Sequence, residues 1–268
     1  MSRRARFTVA YDGTDLSGFA EQTGVRTVMG ELRGALELVL RRPTEPAGAG
    51  RTDAGVHAWG QVVSVDLPAD ADLAGLQRRL NRLCGPQIAV RDIEWTEDPE
   101  FHARHSAAYR HYRYHVLNTT EPNPFTARTA WHVIEPLSLW AMNLACDPLI
   151  GEHDFSTFCR RPKLPEGART PSMSRLVMQA GWKQVPGDVP GLLRFEIRAN
   201  AFCHQMVRSI VGTLVEVGMG KLHAGDIRGI LLQRNRQFAG QVAPAHGLTL
   251  WEVGYPVGAG TDRRAAGE

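Results

Sequence analysis

Residues 50–57 read Gly50-Arg51-Thr52-Asp53-Ala54-Gly55-Val56-His57, between a loop rich in Pro, Gly and Ala and a segment with strand-like alternation. The glycines of this stretch permit a tight turn and the close approach of a ligand, because glycine has no Cβ atom. Asp53 has four interpretations in this setting: a nucleophile, a general base, a metal ligand or a simple turn residue. Spacing alone favours the turn residue.

Hydrophobic periodicity on either side of this stretch predicts a mixture of strands and helices. In the first half, strands are predicted over 5–12, 60–67 and 88–95, and helices over 27–42 and 73–83. Thr27 is the expected N-cap of the first helix. In the second half, strands are predicted over 107–117, 174–184, 191–199 and 247–255, and helices over 137–149, 203–217 and 224–233. We therefore expect an α+β protein with two α+β halves whose sheets join side by side.

The division between the two halves is predicted near residues 96–106. It gives an N-terminal half, 1–105, that carries Asp53, and a C-terminal half, 106–256. Residues 257–268 are mostly Gly, Ala and charged residues, which predicts a disordered tail because such a segment buries little apolar surface.

The composition fits a globular protein and narrows its class. Of 268 residues, 43% are hydrophobic and 22% are charged, and the net charge of +3 neither requires nor excludes a nucleic-acid partner. No apolar run approaches the ~18–20 residues of a membrane span, and no apolar signal-peptide core follows the basic N-terminus, so a cytoplasmic location is predicted. The four cysteines form no C-x-x-C pair, which argues against a thiolate zinc site and predicts reduced thiols.

Two further segments combine charged and apolar residues. Arg208 interrupts an apolar helical stretch, so its guanidinium either pairs with an anion or extends along the helix into water. On the strand over 107–117, alternation places Arg110, Tyr112 and Tyr114 on one face. Such a face suits base stacking with phosphate neutralisation, and it equally suits an ordinary core strand.

A basic loop is predicted over 159–173. Its cations are either phosphate contacts or a solvated surface, and they are Arg160, Arg161, Lys163 and Arg169. Histidines are also numerous, but they show no H-E-x-x-H motif or comparable ligand spacing.

Taken together, these motifs resemble the tRNA pseudouridine synthase A family. The residues from Gly50 to His57 are similar to the family signature. The other motifs follow in the family's order across residues 5–255, and they are Tyr11-Asp12-Gly13-Thr14, Thr27-Val28, Gly30-Glu31-Leu32, Phe101-His102-Ala103-Arg104, Tyr112-Arg113-Tyr114, Gly151-Glu152-His153-Asp154-Phe155, Asn200 through Arg208, and Ala243-Pro244-Ala245-His246-Gly247-Leu248. Each string is short, and their joint order makes the resemblance specific.

The resemblance implies a fold, an activity and partners. The implied pseudouridine synthase fold has mainly antiparallel sheets joined around a central catalytic cleft, with helices on the outer faces. The implied activity is isomerisation of uridine to pseudouridine at positions 38, 39 and 40 of the tRNA anticodon stem-loop. It needs no cofactor and no metal, and it is carried out by a homodimer that binds one tRNA across both subunits.

The resemblance also implies roles for individual residues. Asp53 matches the essential carboxylate, Tyr112 the residue that packs against the target base, and Arg208 the partner of the carboxylate. Arg51 and Leu248 match a candidate RNA contact and an apolar residue near the pocket. We add Arg110, Arg160 and Arg161 as expected RNA contacts.

Four positions depart from the family pattern. Leu16 replaces an aromatic residue, Phe19 replaces Trp, and Ala20 and Met29 each replace Gln. These departures leave open how this region contacts RNA.

Two other functions compete with the isomerase. The first is an RNA-binding or folding module that has kept the fold without the activity, which the joint presence of Asp53, Tyr112 and Arg208 argues against. The second is a metal-dependent hydrolase built on Asp53, His57 and His153.

Overall fold

The computed structural model of the chain describes residues 1–161, 167 and 171–256. Its described residues form two compact units, one of Met1–Tyr109 together with residues 249–256, and one of Arg110–Leu248. Both units mix strands with helices, and most strand pairs are antiparallel, which confirms the predicted α+β class. The predicted tail over 257–268, and Lys163 and Arg169, lie outside the described residues.

The first unit contains a sheet and two long helices. Between Met1 and Tyr109 its elements are β1 (Ser2–Tyr11), α1 (Val28–Leu40), β2 (Ala47–Gly48), β3 (His57–Pro68), α2 (Leu73–Cys84) and β4 (Ile88–Trp95). Strand β1 lies between β4 and β3 and pairs antiparallel with both, and β2 pairs with β3.

Local sequence explains the start of α1. The Thr27 side chain accepts a hydrogen bond from the Gly30 backbone N–H, which confirms the predicted N-cap. The buried stripe of this helix includes Val28, Leu32 and Leu36. Complete burial of such a side chain stabilises the fold by about 1.5–3 kcal/mol, so this stripe holds α1 in the core of the unit.

The second unit is an antiparallel sheet with helices of its own. Its elements are β5 (Tyr109–Asn118), β6 (Trp131–Val133), α3 (Leu139–Leu144), β7 (Gly151–Asp154), β8 (Ser174–Gln184), β9 (Leu192–Ala199), α4 (Met206–Gly218) and α5 (Asp226–Leu232). The strand order is β5-β9-β8-β7, and β6 pairs in parallel with β5. Almost all of α4 is buried.

The last strand, β10 (Leu248–Gly254), returns to the first unit. Its residues Thr249 and Leu250 pair in parallel with His57 and Ala58 of β3. The rings of Trp59 and Trp251 also stack, with centroids 5.8 Å apart. The sequence prediction places residues 249–256 in the second half, because it assigns each segment to the same half as its neighbours in the chain. In the structure these residues belong to the first unit.

Several helix ends differ from prediction. The helix predicted over 137–149 is shorter, since α3 ends at Leu144 and a separate 3-10 turn containing Pro148 follows. Helix α4 begins at Met206 rather than 203 because Gln205 adopts a left-handed conformation with φ of 62°. Within residues 1–161, 167 and 171–256, the helices are all too short or too polar to cross a membrane.

Candidate active site

Asp53 lies in a turn of the first unit, between β2 and β3. The Val56 backbone N–H donates to the Asp53 carbonyl oxygen at 3.1 Å. Gly55 has a φ of 78°, a conformation that favours glycine. The Asp53 side chain is half-buried. Since the turn closes through the backbone of Asp53, a turn role and a chemical role for its carboxylate are compatible.

The turn rests on the segment that follows β1. The Phe19 backbone N–H donates to the Thr52 carbonyl oxygen at 3.1 Å, and the Tyr11 and Thr52 hydroxyls are hydrogen-bonded at 2.8 Å. Gly18 has a φ of 94°, and a Cβ atom added there would lie 2.9 Å from the Thr52 carbonyl oxygen. Position 18 therefore requires glycine twice, for its backbone conformation and for the close approach of the turn.

His57 belongs to the same support rather than to a metal site. It is buried, and its Nδ1 accepts a hydrogen bond from the Gly13 backbone N–H at 3.1 Å. Asp12 Oδ1 lies 3.2 Å from the same nitrogen. In the second unit, His153 Nε2 contacts the Ile150 carbonyl oxygen at 2.9 Å. The described part of the chain holds no cluster of three or more His, Cys, Asp or Glu that suits a metal ion, so the geometry does not support the hydrolase hypothesis.

Three of the four departures from the family pattern are packing positions. Leu16, Phe19 and Met29 are each at most 9% exposed, and Ala20 is half-buried. The Phe19 ring stacks with Tyr11 at a centroid distance of 6.2 Å, directly against the tight support of the Asp53 turn. The sequence left the RNA contacts of this region open and did not predict its packing role. A signal was present, because Leu16 and Phe19 are apolar residues at positions that are aromatic in the family, and Met29 is an apolar residue in place of Gln.

In the second unit, Tyr112 and Tyr114 both project from β5 but have different surroundings. Tyr112 is 7% exposed, and its ring meets that of Phe202 edge-on at 5.0 Å. Tyr114 is fully buried, and its hydroxyl donates to the Pro244 carbonyl oxygen at 2.8 Å. Burial raises the pKa of Tyr114, and the nearby Arg208 guanidinium opposes that rise. Tyr114 is therefore part of the core of the second unit, and a site role for Tyr112 stays a prediction.

Arg208 is held by the segment that precedes β10. Its Nε donates to the Ala243 carbonyl oxygen at 2.7 Å, and the Ala243 backbone N–H donates back to the Arg208 carbonyl oxygen at 3.1 Å. This reciprocal pair fixes the Arg208 backbone carbonyl and the Nε end of its side chain. Leu248, a few residues further on, is 6% exposed and follows a short 3-10 turn over 245–247.

The expected RNA contacts differ in how firmly they are held. Arg51, Arg160 and Arg161 are exposed, and Arg161 donates to the Arg234 carbonyl oxygen at 3.3 Å. Arg110 is half-buried, and its guanidinium donates to the Asn200 carbonyl oxygen at 2.9 Å. Arg51 lies with Asp53 in the first unit, and the remaining arginines, Tyr112 and Leu248 lie in the second. The pairing of Asp53 with Arg208 thus stays a prediction.

Comparison with known proteins gives one consistent result. A family model described as tRNA pseudouridine synthase matches residues 145–256. A protein of Leifsonia xyli named tRNA pseudouridine synthase A is 43% identical, over 98% of this chain and 95% of that protein. A protein of Brevibacillus brevis with the same name is 40% identical, over 94% and 100%. Among solved structures, the Cbf5-Nop10-Gar1 complex gives a TM-score of 0.31 at 13% identity, covering 78% of this chain and 54% of that one, too low to carry an argument.

Proposed function

Because the chain belongs to the tRNA pseudouridine synthase A family and is an isomerase acting on tRNA uridine, we propose that Asp53 is its catalytic carboxylate and that its targets are uridines 38, 39 and 40 of the anticodon stem-loop. The observation that carries the assignment of Asp53 is the support of its turn. Phe19 and Tyr11 hold Thr52, the residue before Asp53, through a backbone and a hydroxyl hydrogen bond, and Gly18 lies close against the Thr52 carbonyl oxygen. Catalysis depends on such preorganisation, since reacting groups must be held near their productive geometry.

The chemistry suits a single well-placed carboxylate. The reaction breaks the N1–C1′ bond of uridine, turns the uracil and forms a C5–C1′ bond, without net oxidation or reduction. An ionised Asp53 either attacks covalently or removes a ribose proton and stabilises positive charge at C1′. Both routes start from the same position of the carboxylate, so the supported turn serves either one.

Arg208 is proposed as the charge partner of the Asp53 carboxylate. A guanidinium suits this role because it offers several N–H donors in a geometry that matches a carboxylate. The support for this role is the firm seating of Arg208 through its Nε contact with Ala243. This contact orients the guanidinium, because a charged donor forms a strong hydrogen bond with the carbonyl oxygen.

Tyr112 is proposed to stack on the extruded uracil. Taking a base out of an RNA stack costs a few kcal/mol, and each base stacked on an aromatic ring returns ~1–3 kcal/mol. The edge-on contact with Phe202 supports this role, because it restrains the Tyr112 ring. Leu248, which is also mostly buried, is proposed as an apolar part of the same pocket.

Binding of the RNA arm is proposed to use Arg51, Arg110, Arg160 and Arg161. Exposed arginines neutralise phosphates, so affinity should fall as salt rises. We further propose that the protein works as a cytoplasmic homodimer. The family resemblance supports the dimer, and the tRNA substrate named for the relatives supports the location.

Tritium release from tRNA labelled with [5-³H]uridine tests the proposal. We expect release by the wild type and none by Asp53→Asn, a variant that keeps the size of the side chain and removes its charge. Substituting uridines 38, 39 and 40 one at a time in the tRNA should remove the corresponding part of the release. Equal release by wild type and Asp53→Asn would refute the role of Asp53. Salt-sensitive tRNA binding without any release would instead support the silent RNA-binding module.

A further inference from the structure

We propose that Cys203 and Cys159 form a dithiol that reacts with hydroperoxides, in which Cys203 is oxidised first and Cys159 then closes an intramolecular disulfide. The two cysteines lie 44 positions apart in the chain, and both belong to the second unit. This chemistry is separate from the isomerisation and does not depend on the proposed function.

The backbone brings the two cysteines onto neighbouring segments. The Arg160 N–H donates to the His204 carbonyl oxygen at 3.0 Å, which joins the residue after Cys159 to the residue after Cys203. The two thiols also interact, so that the pKa of Cys159 is raised and that of Cys203 is lowered. Cys159 is 1% exposed, whereas Cys203 is only partly buried. A small oxidant therefore reaches Cys203 first, with a second thiol next to it, which is the usual arrangement of a redox-active pair.

Local charges favour the thiolate of Cys203, which is the reactive form of a cysteine. Interaction with the Cys159 thiol lowers the pKa of the Cys203 thiol, and the positive charge of Arg175 acts in the same direction. Burial and the Asp154 carboxylate oppose them. Asp154 is itself engaged, because it accepts hydrogen bonds from the Ser156 N–H and hydroxyl and lies 3.4 Å from the Arg234 guanidinium. These contacts partly neutralise the Asp154 carboxylate, which weakens its effect on Cys203.

The proposed reaction has two balanced steps. First, the Cys203 thiolate attacks a peroxide oxygen, so that an S–O bond forms, the O–O bond breaks and an alcohol or water leaves after protonation. Second, the Cys159 sulfur attacks the sulfenic acid at Cys203, so that an S–S bond forms, the S–O bond breaks and water leaves. Two thiols and one hydroperoxide thus give one disulfide, one alcohol and one water, and an added dithiol reductant reverses the change.

The other two cysteines are internal controls. Both are buried, and burial raises the pKa of Cys84 to about 11 and that of Cys146 to about 12. Each pKa unit changes the thiolate fraction about tenfold, so the Cys84 thiolate is roughly a hundredfold scarcer than that of an ordinary thiol. Neither thiol should react at a peroxide dose that converts the Cys159–Cys203 pair.

The test treats the reduced full-length protein with limiting hydrogen peroxide, followed by alkylation and peptide mass mapping. We expect a linked pair of peptides joined through Cys159 and Cys203, formed at least about tenfold faster than Cys84 or Cys146 is oxidised. Dithiothreitol should restore both thiols. This measurement uses the wild type, so it does not depend on whether a variant folds.

Two variants separate the steps. Cys159→Ser should stop at a sulfenic acid on Cys203 that dimedone traps, and Cys203→Ser should leave Cys159 unmodified at the same dose. Three results would overturn the proposal: oxidation of Cys203 no faster than that of Cys84, a disulfide between Cys203 and any residue other than Cys159, or linkage only between separate chains.

Discussion

Gly18→Ala tests how the first unit positions Asp53. Gly18 has a φ of 94°, and the left-handed conformation costs a residue with a Cβ roughly 1–2 kcal/mol, so the free energy of unfolding should fall by about that amount. The new Cβ would also lie 2.9 Å from the Thr52 carbonyl oxygen, whereas ordinary contact begins at 3.4 Å. The backbone next to Asp53 must therefore move by about half an ångström. A misplacement of about 1 Å can reduce a rate on the order of 100-fold, so we expect kcat/KM to fall on the order of tenfold.

Gly24→Ala is the matched control for this prediction. Gly24 has a φ of 78°, and a Cβ added there would meet nothing within 4 Å. Both variants thus carry the cost of the left-handed backbone, but only Gly18→Ala displaces the Asp53 turn. Urea unfolding measures the first effect, and tritium release from labelled tRNA measures the second. Equal kcat/KM for the two variants would show that the contact at position 18 does not position the carboxylate.

Three further predictions concern the second unit. Tyr112→Ala should lower kcat/KM by roughly 5- to 150-fold, the equivalent of ~1–3 kcal/mol of stacking. Tyr112→Phe should retain tRNA affinity because the ring remains. Equal loss of tRNA affinity in both variants would exclude stacking. Arg208→Ala should lower both the melting temperature and the rate of tritium release. Arg208→Lys keeps the charge without the Nε contact to Ala243, so its values should lie between those of Arg208→Ala and the wild type. Full activity and an unchanged melting temperature for Arg208→Ala would refute the ion pair. Burial, assisted by Arg194 and Arg113, lowers the pKa of His115 from 6.5 to about 4. Between these pH values the unfolded chain binds more protons than the folded one. The free energy of unfolding should therefore fall as the pH drops through this range, by at most on the order of 3 kcal/mol. His115→Gln should flatten urea-unfolding stabilities between pH 7 and pH 5, and curves parallel to the wild type would contradict this origin.

The elements with strong periodicity were predictable from the sequence. Helix α1 lies within the predicted 27–42 range because its apolar stripe and its Thr27 cap agree. The shortest strands, β2 and β6, have only two and three residues, too few for alternation to be visible. The pairing of β10 with β3 could not be predicted either, because it joins residues far apart in sequence and produces no local sequence pattern.

The candidate site was predictable in part. The octapeptide around Asp53 directed attention to the correct turn, but the residues that support it were not identified from sequence. Gly18 and Phe19 act through a close backbone approach and a backbone hydrogen bond, and neither depends on a recognisable side-chain chemistry. Positions of this kind become visible only when the neighbouring segment is in place.

The parallel pairing of Thr249 and Leu250 with His57 and Ala58 has a consequence for biosynthesis. About 190 residues separate the partners, so a ribosome must finish nearly the whole second unit before this part of the first can close. Until then, the beginning of β3 presents unpaired backbone groups to solvent, immediately beside the segment that carries Asp53. Contacts between such distant residues form slowly because a long loop must first be closed. The nascent chain therefore keeps an open strand edge through most of its translation, and the segment beside Asp53 is among the last to gain its final strand partner.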